Sequence, residues 1–130
     1  MENLEQLIAA AHAVRRNAYA PYSGFAVGAA LLAADGTVYT GCNVENACFN
    51  LGTCAERNAV FHAVASGARE FLAIAVATEN GVSPCGGCRQ VLAEFSPQMT
   101  VIMVDAAGHM RQATVAELLP DAFEPAQLNP

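Results

Sequence analysis

The sequence predicts one α/β domain spanning residues 1–130, with helices on both sides of a mixed five-stranded sheet in three layers, α/β/α. Three observations lead there. The apolar run Phe25–Ala33 reads as a strand buried on both faces, Phe71–Ala77 as a continuous apolar strand and Thr100–Asp105 as another. The Asp35-Gly36 pair between the first run and Val38–Cys42 signals a tight antiparallel hairpin. Helical patterns separate the later strands, and strand–helix–strand order calls for right-handed crossovers and parallel neighbours.

The elements follow in order. Leu4, Leu7, Ile8, Ala11 and Val14 recur at helical spacing, predicting a helix from Leu4 to Ala18 capped by Asn3, with Arg15 and Arg16 at its negative end. Ala20-Pro21-Tyr22-Ser23-Gly24 breaks that pattern before the first strand. After the hairpin, Asn43–Gly52 has no period and reads as a functional loop. Thr53 is positioned to cap a second helix running to Ser66, with Gly67 as its stop. Ser83-Pro84 reads as the start of a third helix, hydroxyl cap followed by proline. A weaker strand near Met110 precedes Thr114-Val115-Ala116-Glu117, a capping box for a short last helix that Pro120 ends.

Composition narrows the chemistry. A net charge of −6 argues against a nucleic-acid partner, which needs a basic face. All six basic residues are arginines, so lysine Schiff-base chemistry and a Walker phosphate loop are excluded. No apolar run reaches the ~20 residues of a membrane span, and Glu2 and Glu5 are wrong for a leader. Five cysteines without a secretion signal point to a reducing, cytoplasmic setting in which thiols serve as ligands, catalysts or core fillers. With 54% hydrophobic and 14% charged residues, some outer surface is expected to be buried by self-association.

The chemistry concentrates at two helix starts. Cys85 and Cys88 stand at C-x-x-C spacing in the first turn of the third helix, where free N–H groups and the helix dipole favour thiolate. Such a pair chelates a metal or closes into a redox disulfide, and the motif alone does not choose. Cys54 opens the second helix. Helix N-termini converge at the carboxyl ends of parallel strands, which brings Cys54 to the other two. Three thiolates leave one tetrahedral position open, the pattern of a catalytic zinc. Glu56 is then close enough to handle protons, and Arg57 and Arg89 to donate to the sulfurs. Other readings stand beside these. Thr53-x-x-Glu56 is also a capping box, and Cys42 or Cys48 is available as a fourth ligand of a structural zinc or as a small buried hydrophobe.

Cys54-Ala55-Glu56-Arg57 with Pro84-Cys85-Gly86-Gly87-Cys88-Arg89-Gln90 resembles the small zinc-dependent cytidine deaminases that act on free nucleosides. Tyr19-Ala20-Pro21-Tyr22-Ser23 with Phe25, Gly41–Asn46, and Leu118–Phe123 extend the resemblance over nearly the whole chain. It implies a cytidine deaminase-like fold and hydrolysis of cytidine and 2′-deoxycytidine to uridine, 2′-deoxyuridine and ammonia, as in pyrimidine salvage. One zinc per subunit would sit on Cys54, Cys85 and Cys88 and carry the attacking hydroxide, while Glu56 shuttles protons and Arg57 bonds the sulfurs. Asn43 and Glu45 would hold the ribose 3′-hydroxyl, Phe25 would pack beside the nucleoside, and Ala55 belongs to the same substrate-binding set. The resemblance also implies a homotetramer with shared sites, Phe123 completing a neighbour's. Phe49 stands where the family often has tyrosine, a change that bears on substrate preference.

Overall fold

A computed structural model describes residues 4–128. Five strands form one sheet in the order β2-β1-β3-β4-β5: β1 (Gly28–Ala33), β2 (Val38–Cys42), β3 (Phe71–Ala77), β4 (Thr100–Val104) and β5 (Met110–Thr114). The helices are α1 (Leu4–Arg15), α2 (Ala55–Ala65), α3 (Gly86–Phe95) and α4 (Val115–Leu118). Every residue of β1 is buried, because it is paired on both edges and covered on both faces.

The sheet is mixed, but its parallel content is smaller than the order of elements predicts. Only β3 and β4 are parallel neighbours; β1 pairs antiparallel with both β2 and β3. The crossover through α2 still joins parallel strands, β2 and β3, with β1 inserted between them. The first strand begins at Gly28 rather than Phe25, since residues 25–27 are held by side-chain bonds instead of a ladder. The first helix ends at Arg15 rather than Ala18, where Arg15 Nε turns back to the Ala26 carbonyl at 2.9 Å. The cap expected from Asn3 lies outside the described residues.

Alternation along the strands sorts the core into two layers. One face sets Ala30, Leu32, Ala73, Ala75 and Ala77 against Leu7 and Ala11 of α1. The other sets Leu31, Ile74, Val76 and Met103 against α2, Leu92 of α3 and Val115 of α4. Full burial of a leucine- or isoleucine-sized side chain such as Leu31 or Ile74 is worth about 1.5–3 kcal/mol. Small residues let the layers approach: a Cβ on Gly41 would lie 2.4 Å from the Ala59 amide nitrogen of α2. That contact fixes the start of α2 against β2, and so fixes Cys54.

Candidate active site and metal centre

The starts of α2 and α3 differ from their predicted form in one respect. Cys54, not Thr53, is the N-cap of α2, and Cys85, not Ser83, is the N-cap of α3. Both have the extended backbone of a cap, and neither side chain makes a capping hydrogen bond. Thr53 is engaged elsewhere: its backbone pairs with Val44, through Val44 N–H to Thr53 O at 3.0 Å and Thr53 N–H to Val44 O at 2.9 Å. Tyr19 bridges the other side of Val44, so backbone bonds tie three segments without regular structure together. The capping-box reading of Glu56 therefore does not hold.

The two cap sulfurs and that of Cys88, one turn into α3, lie within 4.8 Å of one another. Cys54 Sγ and Cys85 Sγ are 4.0 Å apart. Zinc–thiolate bonds of about 2.3 Å at tetrahedral angles need sulfurs roughly 3.8 Å apart, so the donor set fits zinc with small adjustment. The electrostatics also fit. The Arg57 guanidinium lies 3.8 Å from Cys85 Sγ through Nη2, and its buried Nε has no partner. Gly87 makes that approach possible, because a Cβ there would stand 2.8 Å from Arg57 Nη2. A hydrogen bond from Cys88, helped by Arg57, lowers the Cys54 thiol to about 6; the same bond and burial push Cys88 up.

A cavity of about 360 Å³ opens beside Cys54 and Cys85. Ala55 and Glu56 line it with them, as do Phe25, Asn43 and Glu45. Glu56 is only 5% exposed, and burial raises its carboxyl above the usual range, Cys54 adding to the effect. Asn43 accepts from Val27 N–H at 2.9 Å through Oδ1 and donates to Phe25 O at 2.8 Å through Nδ2. Glu45 Oε1 accepts from the amides of Tyr22 and Ser23 at 2.9 and 3.1 Å, and Oε2 accepts from the Ser23 hydroxyl. Those bonds, the Ser23 hydroxyl foremost, hold the Glu45 carboxyl below its ordinary value. Both residues therefore build the cavity wall as well as lining it.

Other predicted residues lie elsewhere. Phe123 is exposed and outside this cavity. Arg89 does not reach the sulfurs; Nε, Nη1 and Nη2 donate at 2.7 Å to Pro84 O, Leu118 O and Ser83 Oγ. Carbonyl and hydroxyl oxygens outcompete soft thiols for a fork of this geometry. Cys48 is exposed, not a buried hydrophobe, with its thiol 2.9 Å from Asn50 Oδ1; neither it nor Cys42 joins the cluster. Sequence reasoning missed Ser23, Val27, Val76, Thr78, Val82 and Ser83 as cavity lining. Thr78 carried a usable signal, since it directly follows β3 at the carboxyl end of the sheet, where ligands collect.

The family model described as "Cytidine and deoxycytidylate deaminase zinc-binding region" matches residues 1–104. A cytidine deaminase of Sporosarcina psychrophila is 52% identical over 130 residues, covering 98% of this chain and 96% of its own. One of Halalkalibacterium halodurans is 48% identical over 128 residues, covering 96% and 97%. The crystal structure of cytidine deaminase from Burkholderia pseudomallei superposes with a TM-score of 0.89 at 51% identity, over 92% of this chain and 98% of that one.

Proposed function

The chain belongs to the cytidine and deoxycytidylate deaminase family, and from that premise we propose how its residues divide the work of deaminating free nucleosides. It is a zinc-dependent cytidine deaminase. The observation carrying the assignment is the set of three sulfurs within 4.8 Å of one another, two of which border a cavity shared with a buried glutamate. Its substrates are cytidine and 2′-deoxycytidine, and its products uridine or 2′-deoxyuridine and ammonia, a salvage reaction of the cytoplasm. The whole chain, residues 1–130, acts as one catalytic domain.

Cys54, Cys85 and Cys88 hold the zinc, which when bound acidifies water and so supplies a nucleophile at neutral pH. Glu56 moves protons: it takes one from the attacking water and delivers it to ring N3, then takes the second from the hydroxyl so formed at C4 and passes it to the departing amine. Its burial keeps bulk water from short-circuiting those transfers. Arg57 offsets the thiolate charge. Phe25 and Ala55 flank the base, and Asn43 and Glu45 receive the ribose hydroxyl, with Glu45 orientated by its three bonds from Tyr22 and Ser23. Exposed Tyr22, Phe49, Leu51 and Phe61 support burial of this surface in a homotetramer, with Phe123 of one subunit closing the site of the next.

Metal content measured with the fall in ultraviolet absorbance on adding cytidine tests the assignment. One zinc per chain, fast loss with cytidine and little with free cytosine are expected. A metal-free, inactive protein with a reversible Cys85–Cys88 disulfide would overturn it. For the sugar contact, Glu45→Ala should lower kcat/KM for cytidine and narrow its advantage over 3′-deoxycytidine; equal losses for both would remove Glu45 from that hydroxyl.

A further inference from the structure

Immediately after Cys88 stand two residues that face the C-terminal tail. Arg89 joins three points with its three 2.7 Å bonds: Ser83 and Pro84, which lead into the Cys85 cap, and Leu118, the last residue of α4. Gln90 Nε2 donates to Phe123 O at 2.9 Å. Between Leu118 and Phe123 the chain reverses at Asp121, whose φ of 59° makes it the one non-glycine in the left-handed region among the described residues. A backbone conformation of this kind persists only where its surroundings enforce it. Here the two consecutive residues of α3 hold both sides of the reversal. Apart from the Cys54 and Arg57 contacts at the Cys85 sulfur and beside Gly87, the start of α3 is open: Gly86 and Gly87 are exposed, and a Cβ on Gly86 would meet nothing within 4 Å.

We propose that Arg89 is a positioning residue that makes the Cys85 turn and the C-terminal tail one mechanical unit, with Gln90 as its second tie to the tail. Ordering the tail steadies the metal-bearing turn, and ordering the turn sets where Phe123 is presented. The relevance to metal and to a neighbouring site rests on the proposed function; the mechanical link does not.

Segment-resolved hydrogen exchange on the metal-free full chain tests the link itself. Arg89→Met should speed exchange at 87–92, whose amides bond back onto the Cys85 turn, and at 119–124 together, by about tenfold, the effect of losing one charge-assisted bond. Gln90→Ala should speed 121–124 alone. Should Arg89→Met fail to fold, Arg89→Lys keeps the charge, loses the fork, and should show the same paired loosening. Loosening of the turn with an unchanged tail, in whichever variant folds, overturns the proposal. In the zinc-loaded protein, transfer of zinc to a chromophoric chelator should quicken about tenfold in the Arg89 variant. Ile102→Val, which weakens the opposite core layer, should leave that rate unchanged; an equal acceleration there would reduce Arg89 to general stability. A chain that holds no zinc would defeat the proposed function, while the exchange result would still decide the link.

Discussion

Among the described residues, α2, α3 and α4 each begin with a side chain fit to hydrogen-bond, and they use it in two opposite ways. α4 starts conventionally: Thr114 Oγ1 accepts from Glu117 N–H at 3.1 Å, and Glu117 Oε1 accepts from Thr114 N–H at 2.8 Å. α2 and α3 start with Cys54 and Cys85, whose sulfurs leave their helices uncapped and turn to each other. The two acidic residues differ in parallel. Glu117 is exposed, and its bonds to Thr114 lower its pKa; Glu56, one position nearer its helix start, is buried and raised. Where a helix start serves only the fold, local bonds are completed. At the metal centre they are left open.

The largest effect expected from breaking this contrast is on rate. Glu56→Gln should keep zinc and fold but lose about 10²–10⁴-fold in kcat, the usual worth of a positioned acid–base group, while Glu117→Gln should leave kcat near normal. Steady-state kinetics with zinc analysis decides; an active Glu56→Gln protein would remove the proton-carrying role.

The next effect separates the two glycines after Cys85. Gly87→Ala collides with Arg57 Nη2 at 2.8 Å, whereas Gly86→Ala meets nothing. Chelator competition should show zinc affinity falling about 10–100-fold for the first and holding for the second. Equal affinities would mean Arg57 contributes little to holding the metal.

Smaller still is the effect on stability. Cys54→Ser gives α2 a capping hydroxyl, and denaturant unfolding of the metal-free protein should show a gain of about 1 kcal/mol together with weakened zinc binding. Thr114→Ala should cost about the same amount. A Cys54→Ser protein no more stable than its parent would mean the cap position cannot be satisfied there.

The subtlest expectation is a pH trend. The folded Glu56 carboxyl sits above its ordinary value of 4.5, so the folded state binds the extra proton, and stability falls as pH rises from 4.5 through the folded value. Glu56→Gln removes that loss. In metal-free protein its advantage should grow over this window and vanish below it; a constant difference in melting temperature would show that ionisation of Glu56 carries no cost.

The same contrast explains what could be read from the sequence. Val38–Cys42, Phe71–Ala77 and the Thr114 capping box are found as expected, because local pattern alone determines them. The cysteine cluster was legible too, since its spacing carries ligand chemistry. Thr53 and Ser83 misled because hydroxyls are the better caps in isolation, and only tertiary context sets a thiol there instead. Insertion of β1 between β2 and β3 has no local signature, and neither has the distant carbonyl of Leu118 that draws Arg89 away from the sulfurs.

The backbone seam through Tyr19, Val44 and Thr53 has an evolutionary consequence. Hydrogen bonds between main-chain atoms are indifferent to what the side chains are, and Tyr19 and Val44 are about half exposed. The side chains of Tyr19, Val44 and Thr53 can therefore be exchanged with those bonds intact, whereas Asn43 and Glu45 beside them cannot, because their side chains tie Phe25 and Val27 and Tyr22 and Ser23. Next in sequence to Asn43, Glu45 and Cys54, which line the cavity, these seam positions are places where the chain can vary without altering the lining itself.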